Sequence, residues 1–191
     1  MSETKEILLL RHGKTPGNTL RQYIGSTDEP LSPEGRAELS EKHYPAANKV
    51  YISSMLRCRE TAELLFPGAV LQPVPDLREM DFGHFEGRSY LDMAEDAEYS
   101  AWLASNCEAP IPGGEKKSDF TERCCAAFLD VLSRDEASRL VFVVHGGTIM
   151  AILSRFGSPE RSYYDWSVGN GRGFRLMWES GIGKLYVIEE V

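Results

Sequence analysis

The sequence predicts an α/β fold: a three-layer α/β/α sandwich around a mostly parallel central sheet, with an antiparallel edge and a small helical cap. Three observations predict it. Two unbroken apolar runs, Ile7 to Leu10 and Leu140 to Val144, have the pattern of strands buried on both faces of a parallel sheet. Strand-like and amphipathic helical segments alternate around them. Near the end, Phe174 to Glu179 and Lys184 to Glu189 flank a Ser-Gly-Ile-Gly turn, the pattern of an antiparallel hairpin.

At 191 residues, with 42% hydrophobic residues to build a core, the chain is expected to form a single domain over 1–191. Residues from about 84 to 117 would be a cap insertion on the ligand side. The net charge of −8 is spread along the chain, which argues against a nucleic-acid partner. An anionic ligand would need locally concentrated positive charge. No apolar run approaches the ~20 residues of a membrane span. Cys58, Cys107, Cys124 and Cys125 have neither metal-ligand spacing nor the pattern of a secreted disulfide framework. Met-Ser-Glu-Thr-Lys leads directly into the first strand, so no signal peptide is expected and a cytoplasmic location is. A homodimer is compatible with the composition but is not indicated by it.

The first strand ends in Arg11-His12-Gly13. Ligands of parallel sheets bind beyond the carboxyl ends of the strands, and a glycine there lets the backbone turn sharply. The run at 140–144 delivers His145-Gly146-Gly147 to the same edge. One histidine after a strand is as readily a loop residue as a functional one. Two buried strands that both end in His-Gly point to a site. His43 and His84 have no such setting and are expected to face solvent or pack locally.

Thr15-Pro-Gly-Asn18 has loop chemistry, and Gly25 to Pro30 is polar and irregular. Ser32 caps a helix that opens on Pro33 and Glu34 and runs to about His43. Val50 to Ser53 reads as a second strand. Ser53-Ser54 then caps a helix carrying Met55, Cys58, Ala62, Leu65 and Phe66 at helical spacing, stopped by Pro67-Gly68. Arg57, in its first turn, is placed at the same sheet edge as His12 and His145. Arg59, further round, is placed in water.

Val70 to Val74 reads as an edge strand, because Pro73 and Pro75 remove ladder donors. Leu77 to Gly87 is dense in carboxylates, aromatics and glycine, and is expected to be an ordered loop. Glu79 has apolar neighbours, one route to a raised carboxyl pKa. The residues alone do not separate Glu79 from Glu86 as a proton donor. A helix follows from Tyr90 to about Ala104, its Asp92, Glu95, Asp96 and Glu98 forming a solvated face. Pro110 to Gly114 is a loop.

Asp119-Phe-Thr-Glu122 has the form of a capping box, ahead of a core stripe of Phe120, Cys124, Phe128, Val131 and Leu132. After His145 a helix from about Thr148 to Phe156 is stopped by Gly157-Ser-Pro159. Gly169-Asn-Gly-Arg-Gly173 is glycine-rich, but it does not follow a strand and open a helix, so it fails as a dinucleotide loop.

Four blocks together resemble the histidine phosphatase superfamily, also called phosphoglycerate mutase-like. Arg11-His12-Gly13-Lys14-Thr15, with Asn18, is similar to its signature. Ser53 to Ala62 is similar to its Ser-Pro-Leu-x-Arg-Ala-x-x-Thr-Ala block, with Ser54 in place of proline and Cys58 in place of alanine. Leu77-Arg78-Glu79 through Gly87 resembles the proton-donor block, with His84-Phe85 where Gly/Asp-Trp is common. Val143 to Gly147 resembles the second-histidine block. The blocks fall in the family's order and span nearly the whole chain.

The resemblance implies a phosphoglycerate mutase-like fold and a metal-independent, cofactor-free enzyme acting on a small phosphorylated metabolite. His12 would attack phosphorus and carry a phosphohistidine. Arg11, Arg57, His145 and Asn18, with Gly146, would bind the phosphoryl oxygens, where transition-state charge is spread. Arginine suits this because its planar fork stays charged. The same two arginines would hold the His12 pKa below its usual value of about 6.5, keeping it neutral for attack. Glu79 would protonate the leaving alcohol and then activate water.

Hydrolysis is favoured over mutase chemistry. Thr15 and Gly17 stand where the mutases usually carry serine and tryptophan, Phe82-Gly83 follows the acid instead of Tyr-Gly, and few positives lie between Arg88 and Lys116. The cap, from Leu91 to Trp102 and then Ile111 to Glu115, is similar to that of alpha-ribazole phosphatase-type members, which implies alpha-ribazole 5′-phosphate, in cobalamin synthesis, as a candidate substrate. The alternatives are a phosphoglycerate mutase and, less favoured, a non-catalytic phosphate-binding protein.

Overall fold

The computed structural model describes residues 4–191. Among these residues seven strands form one mixed sheet: β1 (Thr4–Arg11), β2 (Lys49–Ile52), β3 (Val70–Pro73), β4 (Arg139–Val144), β5 (Gly157–Ser158), β6 (Gly173–Glu179) and β7 (Lys184–Glu190). Their order is β3-β2-β4-β1-β6-β7-β5. The first four are mutually parallel, while β6 is antiparallel to both β1 and β7. The mixed, α/β character matches expectation, and β3 is the edge that its prolines require.

Among the described residues six α-helices accompany the sheet: α1 (Pro16–Thr19), α2 (Pro33–Ser40), α3 (Leu56–Leu65), α4 (Ala97–Ala104), α5 (Lys117–Arg134) and α6 (Gly146–Phe156). The alternation of side chains along β1 divides the core. Ile7 and Leu9 pack with Phe128 and Val131 of α5 and with Ile149 and Ile152 of α6. Leu8 and Leu10 pack with Leu39 of α2 and with Cys58, Ala62 and Leu65 of α3. A strand with apolar side chains on both faces can be satisfied only between two helical layers. Each such side chain, once buried, contributes roughly 1.5–3 kcal/mol. A third cluster joins Met80, Phe85, Met93, Tyr99, Trp102 and Ile111 to Phe120 and Cys124 of α5.

Several element boundaries differ from the sequence reading, each for a local reason. Thr15 to Asn18 is not a loop: Thr15 caps the single turn α1, and Thr15 and Asn18 form a reciprocal capping box with Pro16 at the first position. Helix α2 ends at Ser40, short of His43. Ser53 and Ser54 do not cap α3; its cap position is Met55, with no side-chain bond, and the Ser53 hydroxyl is used elsewhere.

Only the second half of the 90–104 segment is helical, because the Asp96 carboxylate takes the N–H groups of Glu98 and Tyr99 and so starts α4 there. Asp119 lies inside the first turn of α5, whose cap position is Lys116, so no capping box forms. His43 and His84 are exposed, as is Arg59.

Candidate active site

The register of the sheet gathers the site. Arg11 is level with Val144, and the His12 N–H donates to the Val144 carbonyl at 2.9 Å, so His12 and His145 leave adjacent parallel strands side by side. Their rings lie 5.2 Å apart, nearly edge to face at 66°. Ser53, following β2, donates its N–H to Val143 at 3.1 Å and reaches the same edge. Because β6 runs the other way, its beginning lies at this edge, and that brings Asn170 in.

His12 is buried, and its Nδ1 donates to the Gly13 carbonyl at 2.7 Å. A carbonyl can only accept, so the proton sits on Nδ1 and the lone pair of Nε2 is left for chemistry. Burial, then the charges of Arg57 and Arg11, hold its pKa well below the usual histidine value; the bond to Gly13 opposes this. His12 is neutral as arranged.

Arg57 is fully buried. Its Nε donates to His145 Nδ1 at 3.3 Å, and its terminal nitrogens donate to the carbonyls of Thr27 at 2.8 Å and Gly25 at 2.9 Å. Three of its five N–H groups are thereby used, leaving two for an anion. Arg11 donates from one terminal nitrogen to the Val168 carbonyl at 2.8 Å, while its buried Nε has no partner. Burial, partly offset by Glu79 and reinforced by Arg57, lowers the Arg11 pKa without discharging it. Two guanidinium groups beside two neutral imidazoles supply the concentrated positive charge that the acidic surface lacks.

His145 Nε2 faces Ser53 Oγ at 2.7 Å. Since Nδ1 accepts from Arg57, Nε2 carries the proton and donates to the hydroxyl. Both nitrogens are thus engaged within the protein, and gripping a phosphoryl oxygen requires His145 to give up one of these bonds. Its pKa is also held well below the ordinary value, by burial first and then by Arg57, His12 and Arg11.

Glu79 and Glu86, left unseparated in the sequence, occupy different places. Glu86 accepts from the N–H groups of Gly25, Ser26 and Phe82 and from the Thr27 hydroxyl, holding the 25–27 loop whose carbonyls hold Arg57. Glu79 lies at the site: its Oε1 accepts from Met80 N at 2.9 Å and its Oε2 from Gly147 N at 3.0 Å. Burial raises its pKa against the lowering pull of those two N–H groups and both arginines. Gly147 makes room here: a Cβ on it would overlap the Glu79 carboxyl, whereas one on Gly146 would meet the Arg11 guanidinium only at ordinary contact distance, 3.4 Å.

Asn18 Oδ1 accepts from Asn170 Nδ2 at 2.9 Å and from Thr15 N at 3.3 Å. With its oxygen taken twice, the amide presents its NH₂ end to the cavity that Asn18 lines. Asn170 Nδ2 also donates to the carbonyl of His12 at 3.2 Å and, more distantly, to that of Gly13. Asn170 and Ser53 were missed as site residues; the glycine-rich run around Asn170 was the only signal for it. All the residues named from the sequence, Arg11, His12, Asn18, Arg57, Glu79, His145 and Gly146, meet at this one edge.

Beyond Arg11, Asn18, Glu79 and Gly146 opens a cavity of about 310 Å³. No group of three His, Cys, Asp or Glu side chains among the described residues is arranged to hold a metal ion. Among those residues, too, no helix is long and apolar enough to cross a membrane.

Comparisons with known proteins give the family and the fold. A family model described as the histidine phosphatase superfamily (branch 1) matches residues 7–188. The chain is 31% identical over 168 residues to a metal-independent phosphoserine phosphatase of Arabidopsis thaliana, covering 81% of this chain and 69% of that one. It is 32% identical over 173 residues to the adenosylcobalamin/alpha-ribazole phosphatase of Escherichia coli, covering 85% of each. A crystal structure of a phosphoglycerate mutase from Thermus thermophilus superposes with a TM-score of 0.72 at 30% identity, covering 97% of this chain and 98% of that one.

Proposed function

The chain belongs to the histidine phosphatase superfamily, and from that premise we propose that it is a metal-independent phosphatase hydrolysing a small phosphomonoester through a phosphohistidine on His12. The observation that carries this reading is the neutral His12, with Nδ1 tied to the Gly13 carbonyl and two arginines beside it. A neutral Nε2 next to fixed positive charge is what attack on an anionic phosphorus needs.

In the first step Nε2 attacks phosphorus in line with the ester oxygen. Arg11, the two free N–H groups of Arg57, the Asn18 amide and the Gly146 N–H at the head of α6 take the phosphoryl oxygens. Glu79, whose burial raises its pKa and so favours the acid form, gives its proton to the leaving alcohol, a contribution of roughly 10²–10⁴-fold. In the second step Glu79, now a carboxylate, takes a proton from water as that water attacks the phosphohistidine. His12 is regenerated neutral and phosphate departs. Residues from about 84 to 117 act as a cap over the leaving-group side, within one domain, and the protein works in the cytoplasm.

Alpha-ribazole 5′-phosphate is the candidate substrate suggested by the relative of that name and by the similarity of the cap. The deciding experiment scores this compound, phosphoserine and 3-phosphoglycerate for release of phosphate against isomerisation. Release with an acid-labile phosphoenzyme, abolished by His12→Ala, supports the reading. Isomerisation of 3-phosphoglycerate without release would make the protein a mutase.

A further inference from the structure

We propose that the cavity beyond the phosphoryl site selects monoesters whose alcohol carries a planar aromatic ring, seated among Tyr23, Trp102, Tyr163 and Tyr164. The proposal deepens the phosphomonoesterase reading and rests on it. The cavity, about 310 Å³, is at the small end of the usual range for small-molecule pockets, roughly 300–1,000 Å³. Past Arg11 and Glu79 five rings line it, those of Tyr23, Phe82, Trp102, Tyr163 and Tyr164, set among smaller side chains such as Ile24, Met80 and Met150. Tyr23 lies 5.1 Å from Phe82 and 6.1 Å from Trp102, and Tyr163 lies 5.1 Å from Tyr164. These are distances at which aromatic pairs attract, so a further ring extends the arrangement.

The rings are held in place. The Tyr23 hydroxyl bonds to that of Tyr99 at 2.8 Å, and the Tyr163 hydroxyl donates to the Gly147 carbonyl at 3.3 Å. With these phenol oxygens tied to the protein, the faces and edges of the rings are what a ligand meets. Tyr163 bonds to the same residue whose N–H holds Glu79, so this wall stands beside the group proposed to protonate the leaving oxygen.

Charge at the cavity disfavours the alternatives. Glu79, the proton donor of the first step, is the one carboxyl group lining it among the described residues, and Arg11 and Lys117 are the cations. Lys117 is paired with Glu108 at 2.6 Å and lies 4.4 Å over Tyr163 and 5.0 Å over Tyr164. The ammonium of phosphoserine therefore finds no free carboxylate. The carboxylate of phosphoglycerate finds no cation that is not already neutralised or committed to phosphate. Burying either unpaired group is unfavourable, whereas a ring needs no partner charge.

The test compares 2-phenylethyl phosphate with 2-cyclohexylethyl phosphate, whose leaving alcohols are alike in basicity, alongside phosphoserine and 3-phosphoglycerate. The phenyl ester should exceed the cyclohexyl ester in kcat/KM by about 3- to 10-fold, as one aromatic pairing allows. It should exceed the two charged substrates by about tenfold or more. Trp102→Leu, and Tyr164→Leu at a half-exposed position that folding tolerates, should bring the phenyl-to-cyclohexyl ratio towards one.

A ratio of one in the unaltered protein, a ratio retained in both variants, or a preference for phosphoserine or phosphoglycerate would overturn the proposal. If no monoester, 4-nitrophenyl phosphate included, releases phosphate, the hydrolase reading falls instead. The ring preference is then read from calorimetric binding of the same two esters to His12→Ala, where equal affinities overturn it.

Discussion

The carboxyl group of Glu79 occupies the space that a side chain on Gly147 would fill, and it accepts the Gly147 N–H at 3.0 Å. The glycine thus both makes room for the acid and aims it. Gly147→Ala should displace Glu79 and lower kcat/KM for alkyl phosphates by roughly 10²–10⁴-fold, the usual worth of a placed acid. 4-Nitrophenyl phosphate, whose leaving group needs little protonation, should lose far less. Steady-state kinetics on the two substrates checks this, and equal losses would remove Glu79 from the acid role. Glu79→Gln should show the same asymmetry with the fold intact.

The two ionisations have opposite signs. His12 must be neutral to attack, and its pKa is lowered, so activity should persist as pH falls below about 6.5 and be lost only when His12 finally takes a proton. Glu79 must be protonated to act as an acid, and its pKa is raised, so the alkaline limb should lie above the ordinary carboxyl range. Arg11→Gln removes one of the charges that keep His12 neutral and should move the acid limb upward. Comparing the kcat/KM profiles of both proteins on 4-nitrophenyl phosphate cancels the substrate's own ionisation. An unmoved acid limb would show that Arg11 does not set the His12 pKa.

Asn170 fixes the amide of Asn18 and bonds to the backbone carbonyls of His12 and Gly13. Asn170→Asp keeps the shape but replaces the donor with a negative charge facing three oxygens. It should raise KM and the inhibition constant for inorganic phosphate by roughly 10- to 100-fold. Asn170→Ala, which removes the donor without adding charge, should do less. Identical kinetics in both variants would leave Asn170 a loop residue with no bearing on the site.

Away from the site, Asp135 accepts from Lys49 at 2.8 Å, from the Tyr51 hydroxyl at 2.6 Å and from Ala137 N at 3.0 Å. These bonds, the one from Lys49 foremost, hold its pKa down to about 2. A carboxyl lowered on folding contributes stability that is present above its unfolded pKa, near 3.9, and lost as pH falls towards 2. Because Lys49 is half-exposed, the contribution is discounted to about 1 kcal/mol. Asp135→Asn should therefore destabilise at neutral pH and show a smaller difference near pH 2 in denaturant titrations. A constant difference would remove the ionic part.

The sequence by itself determined the mixed α/β sheet and that the two His-Gly ends belong to one edge of it. Two apolar runs ending in His-Gly are buried between helical layers, and parallel strands bring their carboxyl ends to one edge; that β1 and β4 are neighbours is what sets His12 beside His145. Arg57 followed from its place in the turn after β2. What the tertiary structure decided depends on partners distant in sequence.

Glu79 and Glu86 are separated only by which N–H groups each receives, those of Met80 and Gly147 for one and those of the 25–27 loop for the other. The role of Ser53 appears only once His145 stands 2.7 Å away, drawing its hydroxyl from the helix it was expected to cap. Asn170 enters because β6 is antiparallel and begins where its neighbours end. Short-range propensity and hydrophobic period locate elements; hydrogen bonds across 68, 92 and 152 residues of chain set where the side chains stand.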